Sequence, residues 1–240
     1  MTEESPFDRR WKFPIFPCTI RSSFERTSPE KVAALSSIYV PDLCDIIGRM
    51  YTVKGISSIF DPAVKVTGSA FTVKCPPGDN LGLKIALTMT QPGDVLIVDA
   101  QGFDDWCLGG FQMLTLTIRE RGLKGLIVNG AYRDRSEARE AGFPIYAKEV
   151  SSWSGPKIGP FEINVPVCCG GVIVEPGDLV SASEDGIAVV PARFVDHVIA
   201  HISAKSSRSP EPVETRLRAQ DAATLRYLSA IEKAGMVSSV

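Results

Sequence analysis

Residues 125–144, GLIVNGAYRDRSEAREAGFP, decide the fold. Leu126, Ile127 and Val128 form a short apolar run of the kind strands use, and it leads into Gly130. Arg133, Asp134 and Glu137 follow just past that strand end, in the position where loops gather function. Asp134 and Glu137 also suit the first turn of a helix, whose N-terminal dipole favours negative charge. A strand, a charged loop, a helix start and a further strand at PIYAKEV (144–150) make this a chain of mixed α and β structure.

The same punctuation recurs on both sides. VKVTGSAFTVKC (64–75) and PGDVLIVDA (92–100) lie upstream, and PVCCGGVIV (166–174), PGDLVSA (176–182) and GIAVVP (186–191) lie downstream. Each is Val- and Ile-rich and bounded by Gly, Pro or Asp, as strands are. Helices are expected at about 80–90 and 111–121, so the middle is mixed and the second half strand-dominated, without the regular alternation of a Rossmann sheet. Ahead of them, SPEKVAALSSI (28–38) reads as a helix with Ser28 as cap, Pro29 at the first helical position and Glu30 in the first turn. VPDLCDIIGRM (40–50) reads as a second, where Asp42 and Asp45 are capping or solvated residues.

The ends differ from the middle. Residues 1–28 mix Pro14, Pro17, aromatic and charged residues without a helical or strand period, which reads as an arm lying on a surface, with Trp11, Phe13 and Phe16 in need of cover. Residues 29–205 are then the main domain, and 206–240 a C-terminal helical extension. A Ser/Pro break to Pro212 precedes an amphipathic helix over 213–234 with Leu217, Leu225, Leu228 and Ile231 as its apolar positions, a natural oligomer contact.

With 26 basic against 28 acidic residues and no stripe of Lys or Arg, the chain lacks the footprint of a nucleic-acid binder. Its six cysteines have no CxxC spacing, which points to idle thiols in a reducing compartment and away from a zinc or redox centre. The N-terminus has no uninterrupted apolar stretch like that of a secretory signal, and no segment approaches the roughly 18 apolar residues of a membrane span. The expectation is a soluble, cytoplasmic protein.

Two clusters carry chemistry. In the first, the Arg133 guanidinium can bind carboxylate or enolate oxygens through two parallel donors while Asp134 offers a hard oxygen to a divalent cation, so the pair suits a metal-chelated 2-oxo acid. A solvated Arg–Asp pair at a helix start fits the same spacing. In the second, FDDWCLGGFQML (103–114), Gly109 and Gly110 turn into a helix near Phe111 and would present free N–H groups to an anion.

With these residues in view, the chain resembles the family of regulator of ribonuclease activity A and the 4-hydroxy-4-methyl-2-oxoglutarate and 4-carboxy-4-hydroxy-2-oxoadipate aldolases. The resemblance covers about residues 30–200. It rests on GSAFTV and PPGDN, PGDVLIVD, RGLKGLIVNGAYRD with Glu137 completing Arg-Asp-x-x-Glu, GFPIYA, VPVCCGGVIVEPGDLV, and DGIAVVP, in that order. It implies an α+β, three-layer β/β/α swivelling-domain-like fold, assembled as a homotrimer or homohexamer with sites between subunits.

The activity it implies is that of a carbon–carbon lyase, of the class II pyruvate-aldolase or oxaloacetate-decarboxylase type, acting on small 2-oxo acids. A pyruvate enolate would be held by Arg133 and by backbone N–H groups around Gly110, Phe111, Gln112 and Met113, with Mg2+ or Mn2+ on Asp134. Breaking a bond beside a carbonyl leaves an enolate that needs a Lewis acid and fixed donors. Lys124 and Lys148 carry no mark of the desolvated lysine that a Schiff base needs.

Two departures from the family pattern stand out. Gln112 occupies the position where the aldolases place an acidic or glycine residue, and it can orient water but not take its proton, so Asp104 or Asp105 are alternative acids that read equally as turn residues. Ser183 replaces an acid in ASEDG (182–186), read as structural. His197 and His201 have metal-ligand spacing but read as packing residues, and Asp79 and Asn80 lie near the pocket by resemblance. The rival functions are a non-catalytic binding protein, like the ribonuclease E inhibitors of the family, and a related lyase or hydratase on a larger substrate, with the pocket reshaped by the N-terminal arm and the Trp153 region.

Overall fold

A computed structural model describes residues 17–206 and 212–236. The chain divides into two compact units, 1–199 and 200–240. In chain order the elements are β1 (Thr19–Ile20), α1 (Pro29–Ser36), α2 (Val40–Ile47), β2 (Thr52–Val53), β3 (Ser57–Ser58), β4 (Val66–Lys74), α3 (Leu81–Ala86) and β5 (Asp94–Asp99). They continue with a 3-10 turn (Phe111–Met113), α4 (Thr115–Arg121), β6 (Gly125–Tyr132), α5 (Arg135–Glu140), β7 (Ile145–Val150) and β8 (Glu162–Ile163). β9 (Val167–Cys169), β10 (Val172–Val174), β11 (Leu179–Ser183), β12 (Gly186–Val190), α6 (Val195–Ser206) and α7 (Val213–Lys233) complete the series.

The large sheet runs β2-β12-β11-β4-β5-β6-β7-β3, with β8 also paired to β4 and β1 to β8. Its four middle strands, β4 to β7, are parallel neighbours. β11, β12, β2 and β3 join antiparallel. β5 explains the layering: every residue of DVLIVD is buried, as in a parallel strand covered on both faces. Successive side chains point to opposite faces, so Leu96 and Val98 enter one core with Leu83, Leu87, Leu114 and Ala138, on the side of α3, α4 and α5. Val95 and Ile97 enter the other, with Val167, Val172 and Val174 of the β9–β10 hairpin. Helices, sheet and hairpin are the three layers of an α+β fold.

The middle is more regular than the sequence suggests, because a helix precedes each of β5, β6 and β7. α3 falls within the helix expected at 80–90 and α5 follows the helix start read at Asp134 and Glu137, each only six residues long. The antiparallel strands added at both edges separate the fold from a Rossmann sheet.

The described part of the N-terminal stretch belongs to the sheet. Thr19–Ile20 pairs with Glu162–Ile163 as β1, Phe24 meets Phe71 edge-on at 5.9 Å, and Arg26 donates through Nε and Nη2 to both carboxylate oxygens of Asp94 at 2.8 and 3.0 Å. Its expected lack of any element is thus corrected for this part, since backbone pairing is independent of side-chain period; Trp11, Phe13 and Phe16 lie outside the described residues. In the second unit α7 spans Val213–Lys233, with Leu217, Leu225, Leu228 and Ile231 exposed along it. No described helix is long and apolar enough to cross a membrane.

Candidate functional site

The parallel strands end together, and the site is built at the end of β6. Tyr132, the last residue of that strand, is fully buried and donates its hydroxyl to the Gly110 carbonyl at 3.0 Å, which pins the Gly109–Gly110 turn against the strand. Burial, with the Asp134 charge adding to it, pushes this phenol well above its ordinary value, so it stays a neutral donor.

Arg133 and Asp134 follow. Asp134 adopts left-handed backbone, φ +65° and ψ 48°, at the N-cap of α5, and its side chain makes no capping hydrogen bond. The carboxylate turns to the glycine pair instead: a Cβ on Gly110 would overlap Asp134 Oδ2 and come within 3.2 Å of Arg133 Nε. Gly110 is therefore glycine to leave room for the acid. The backbone of Asp134 does start the helix, its carbonyl accepting from Ala138 N at 3.1 Å, while its carboxylate is left uncommitted to the cap. Arg133 Nε stands 3.7 Å from Asp134 Oδ1, and Arg133 Nη1 donates to the Ser152 carbonyl at 3.1 Å. Both side chains keep partial access to solvent, at 39% and 26%.

The turn supplies backbone donors. Gly110, Phe111 and Gln112 have N–H groups with no acceptor among the described residues. Met113 differs from expectation, because its N–H donates to the Gly110 carbonyl at 3.1 Å and closes the 3-10 turn; its side chain packs over Gly109. Phe111 is anchored in the core against Phe143, with ring centroids 6.1 Å apart, while Gln112 is exposed.

The other candidates are engaged in contacts of their own. Asp104 pairs with Lys148 at 2.7 Å, and Lys148 also donates to the Gly102 carbonyl at 2.6 Å. Asp105 offers its carbonyl to Ser151 Oγ at 2.6 Å. Asp79 is buried and accepts from the N–H groups of Leu81, Ile158 and Gly159, so it staples the segment after β7 to the start of α3. Asn80 is buried beside it, with Oδ1 unpartnered. Ser183 Oγ accepts from Asp185 N at 3.3 Å, in the β11–β12 turn. His197 and His201 are exposed on α6, and the His197 ring meets Phe194 edge-on at 6.2 Å.

Three participants carry no sequence signal of their own. Ser152 acts through its carbonyl, and any residue has one. Tyr132 reads as a strand residue and is marked only by preceding Arg133. Asp99 is a buried carboxylate accepting from Gln101 N, Asn129 Nδ2 and Cys168 N at 2.8 to 3.2 Å, and it ties the ends of β5 and β6 to the hairpin.

No group of three or more His, Cys, Asp or Glu side chains converges among the described residues, so they form no all-protein metal cage. The donor set at the site is one carboxylate, in a cradle that a Cβ at Gly110 would fill. That set fits a hard cation such as Mg2+, which keeps several waters and takes one or two carboxylates.

A family model described as RraA-like, Aldolase/RraA, matches residues 40–189. The chain is 36% identical over 135 residues to a protein of Halalkalibacterium halodurans whose name, 4-hydroxy-4-methyl-2-oxoglutarate aldolase, is itself inferred; the match covers 56% of this chain and 64% of that protein, less than two thirds of its length. A protein of Paraburkholderia phytofirmans with the same inferred name is 31% identical over 162 residues, 65% of this chain and 98% of its own. Among solved structures, RraAS2 of Streptomyces coelicolor, described as an unusual member of the RNase ES inhibitor RraA family, is similar with a TM-score of 0.67 and 29% identity over 76% of this chain and 95% of its own. RraA of Thermus thermophilis, described as an RNA-processing inhibitor, has a TM-score of 0.57 and 29% identity over 65% of this chain and 93% of its own. The matched segment runs from α2 to β12 and contains Gly110, Arg133 and Asp134: the chain belongs to the RraA-like family of aldolase and RraA proteins.

Proposed function

We propose that the chain is a divalent-metal-dependent carbon–carbon lyase that cleaves a 4-hydroxy-2-oxo acid to pyruvate by retro-aldol reaction, or decarboxylates oxaloacetate. The observation that carries this reading is the Asp134 carboxylate, held by left-handed backbone over Gly110 and beside Arg133 instead of capping α5. The inferred aldolase names of relatives at 31% and 36% identity support it at the level of the family.

Arg133 would bind the substrate carboxylate or the enolate oxygen through its guanidinium. The N–H groups of Gly110, Phe111 and Gln112 would orient the same anion, with Tyr132 holding their turn in place. Cleavage leaves the bonding electron pair on a pyruvate enolate, which a proton at C3 then quenches. The proton of the C4 hydroxyl would pass to a solvent water that the exposed Gln112 amide can orient without itself taking the proton. A magnesium or manganese ion on Asp134 would supply Lewis-acid stabilisation of the developing oxyanion. The reading includes assembly as a homotrimer or homohexamer with the neighbouring subunit completing the site.

Pyruvate release from oxaloacetate and from 4-hydroxy-4-methyl-2-oxoglutarate, with magnesium and then with excess chelator, tests the proposal. Release that stops on chelation is expected, as is a loss of more than about a hundredfold in Arg133→Ala, or about 3 kcal/mol. Release that survives chelation removes the metal from the mechanism. A second reading, a non-catalytic binding protein, is favoured by the similarity to solved structures described as inhibitors of RNA processing. It is the reading left standing if neither substrate yields pyruvate.

A further inference from the structure

Two tryptophans stand at the rim of this site on backbone that is held firmly. Cys107 pairs in parallel with Ala131 on one side and with Ser154 on the other, so the segment around it bridges the end of β6 and the loop after β7. Leu108 N donates to the Ala131 carbonyl at 3.0 Å, and Cys107 N to the Trp153 carbonyl at 2.7 Å. Trp106 and Trp153 each immediately precede a residue of the Cys107–Ser154 bridge, so the backbones that carry them run side by side. Trp106 is 37% exposed and Trp153 69%.

The backbone beneath them is fixed at several points. Ser151 N donates to the Tyr132 carbonyl at 3.2 Å, Ser151 Oγ to the Asp105 carbonyl at 2.6 Å, and Asn80 N to the Pro156 carbonyl at 3.1 Å. Gly155 lies so close to Gly78 that a Cβ there would overlap the Gly78 carbonyl. Trp106 is backed by Phe103, edge-on at 5.7 Å. The bond from Arg133 Nη1 to the Ser152 carbonyl then puts Trp153 one peptide unit from the group that steadies the arginine. An indole set on rigid backbone beside an anion-binding guanidinium is suited to an amphipathic ligand with a carboxylate at one end and a flat apolar group at the other.

We propose that Trp153 and Trp106 form an aromatic shelf that receives an aryl group at the distal end of a 2-oxo acid whose carboxylate lies on Arg133. Trp153 is the specificity-determining residue, and the preferred substrate class is aryl-substituted 2-oxo acids over small aliphatic ones. This rests on the reading of Arg133 as the carboxylate clamp.

Titration calorimetry on the full chain with magnesium, using pyruvate and phenylpyruvate as probes, tests it. Phenylpyruvate is expected to bind about tenfold tighter than pyruvate, or about 1.4 kcal/mol, the size of an aromatic contact. Trp153→Ala is expected to erase that preference while leaving pyruvate within twofold, and Trp153→Phe to restore most of it. Arg133→Ala is expected to weaken both ligands. An unchanged phenylpyruvate-to-pyruvate ratio in Trp153→Ala overturns the shelf while leaving the clamp intact. So does a change of oligomeric mass in sedimentation velocity, which would make the tryptophans a contact between copies of this chain. Equal binding by wild type and Arg133→Ala, or no binding of either acid, overturns the clamp and the shelf with it.

Discussion

Asp134 combines a backbone conformation that disfavours it with a carboxylate aimed away from its own helix. A non-glycine residue in the left-handed region costs on the order of 1 kcal/mol, and asparagine tolerates it better than most. Asn is also the isostere of Asp, so Asp134→Asn preserves shape and removes only the charge and the hard anionic donor. The expected result is a midpoint of urea unfolding within about 0.5 kcal/mol of wild type or slightly above it, with pyruvate-forming activity lower by roughly two orders of magnitude. Separate measurements of stability and turnover on one preparation check this. A variant as active as wild type would make the acid a strained surface residue with no part in the chemistry.

At the scale of elements, the strap of residues 17–28 and the Pro-Gly-Asp turns decide how the sheet is held. Gln91-Pro-Gly-Asp94 and Glu175-Pro-Gly-Asp178 are the same device: each Asp Oδ2 accepts from the N–H three residues back, at 2.8 and 2.9 Å, and opens a strand. Asp94 is held in addition by an ion pair with Arg26, against which its carboxylate is fully buried. Arg26→Ala would leave that charge buried with one backbone donor, at a cost of about 3 kcal/mol. In a chain of this size that lowers the melting temperature by roughly 6 to 12 °C. Adding Asp94→Asn should recover part of the loss, and a double variant no more stable than Arg26→Ala would mean that the pair is not coupled. The Pro-Gly-Asp turns and the Val-rich strands were legible in sequence because they are local. The strap was not, since Arg26 and Asp94 are 68 residues apart and Thr19–Ile20 has no period of its own. The same physics divides the candidate site: the Gly-Gly turn and the Arg-Asp pair could be read from neighbouring letters, whereas the Tyr132–Gly110 and Arg133–Ser152 bonds that join them exist only once β6 and the flanking loops have come together.

For the whole molecule, the two-faced core encloses acids that must stay neutral. Burial pushes the Cys75 thiol up to about 12 and raises Cys169 likewise. It also lifts the phenols of Tyr132, on the helix side of the sheet, and Tyr146, on the hairpin side. For an acid whose folded value lies above its unfolded one, stability is fully present below the unfolded value and is lost as pH rises toward the folded one. Unfolded thiols ionise near 8.5 and phenols near 10, so the loss should begin just above pH 8.5 and steepen past pH 10. At pH 10 the Cys75 thiol alone accounts for about 2 kcal/mol. Urea unfolding under reductant at pH 7.5, 9 and 10 is therefore expected to give steadily falling stability, with a shallower fall in Cys75→Ala. A midpoint that stays level from pH 8 to 10 in wild type would mean that these groups ionise inside the fold as readily as outside it, and that the two cores admit water along both faces of the sheet.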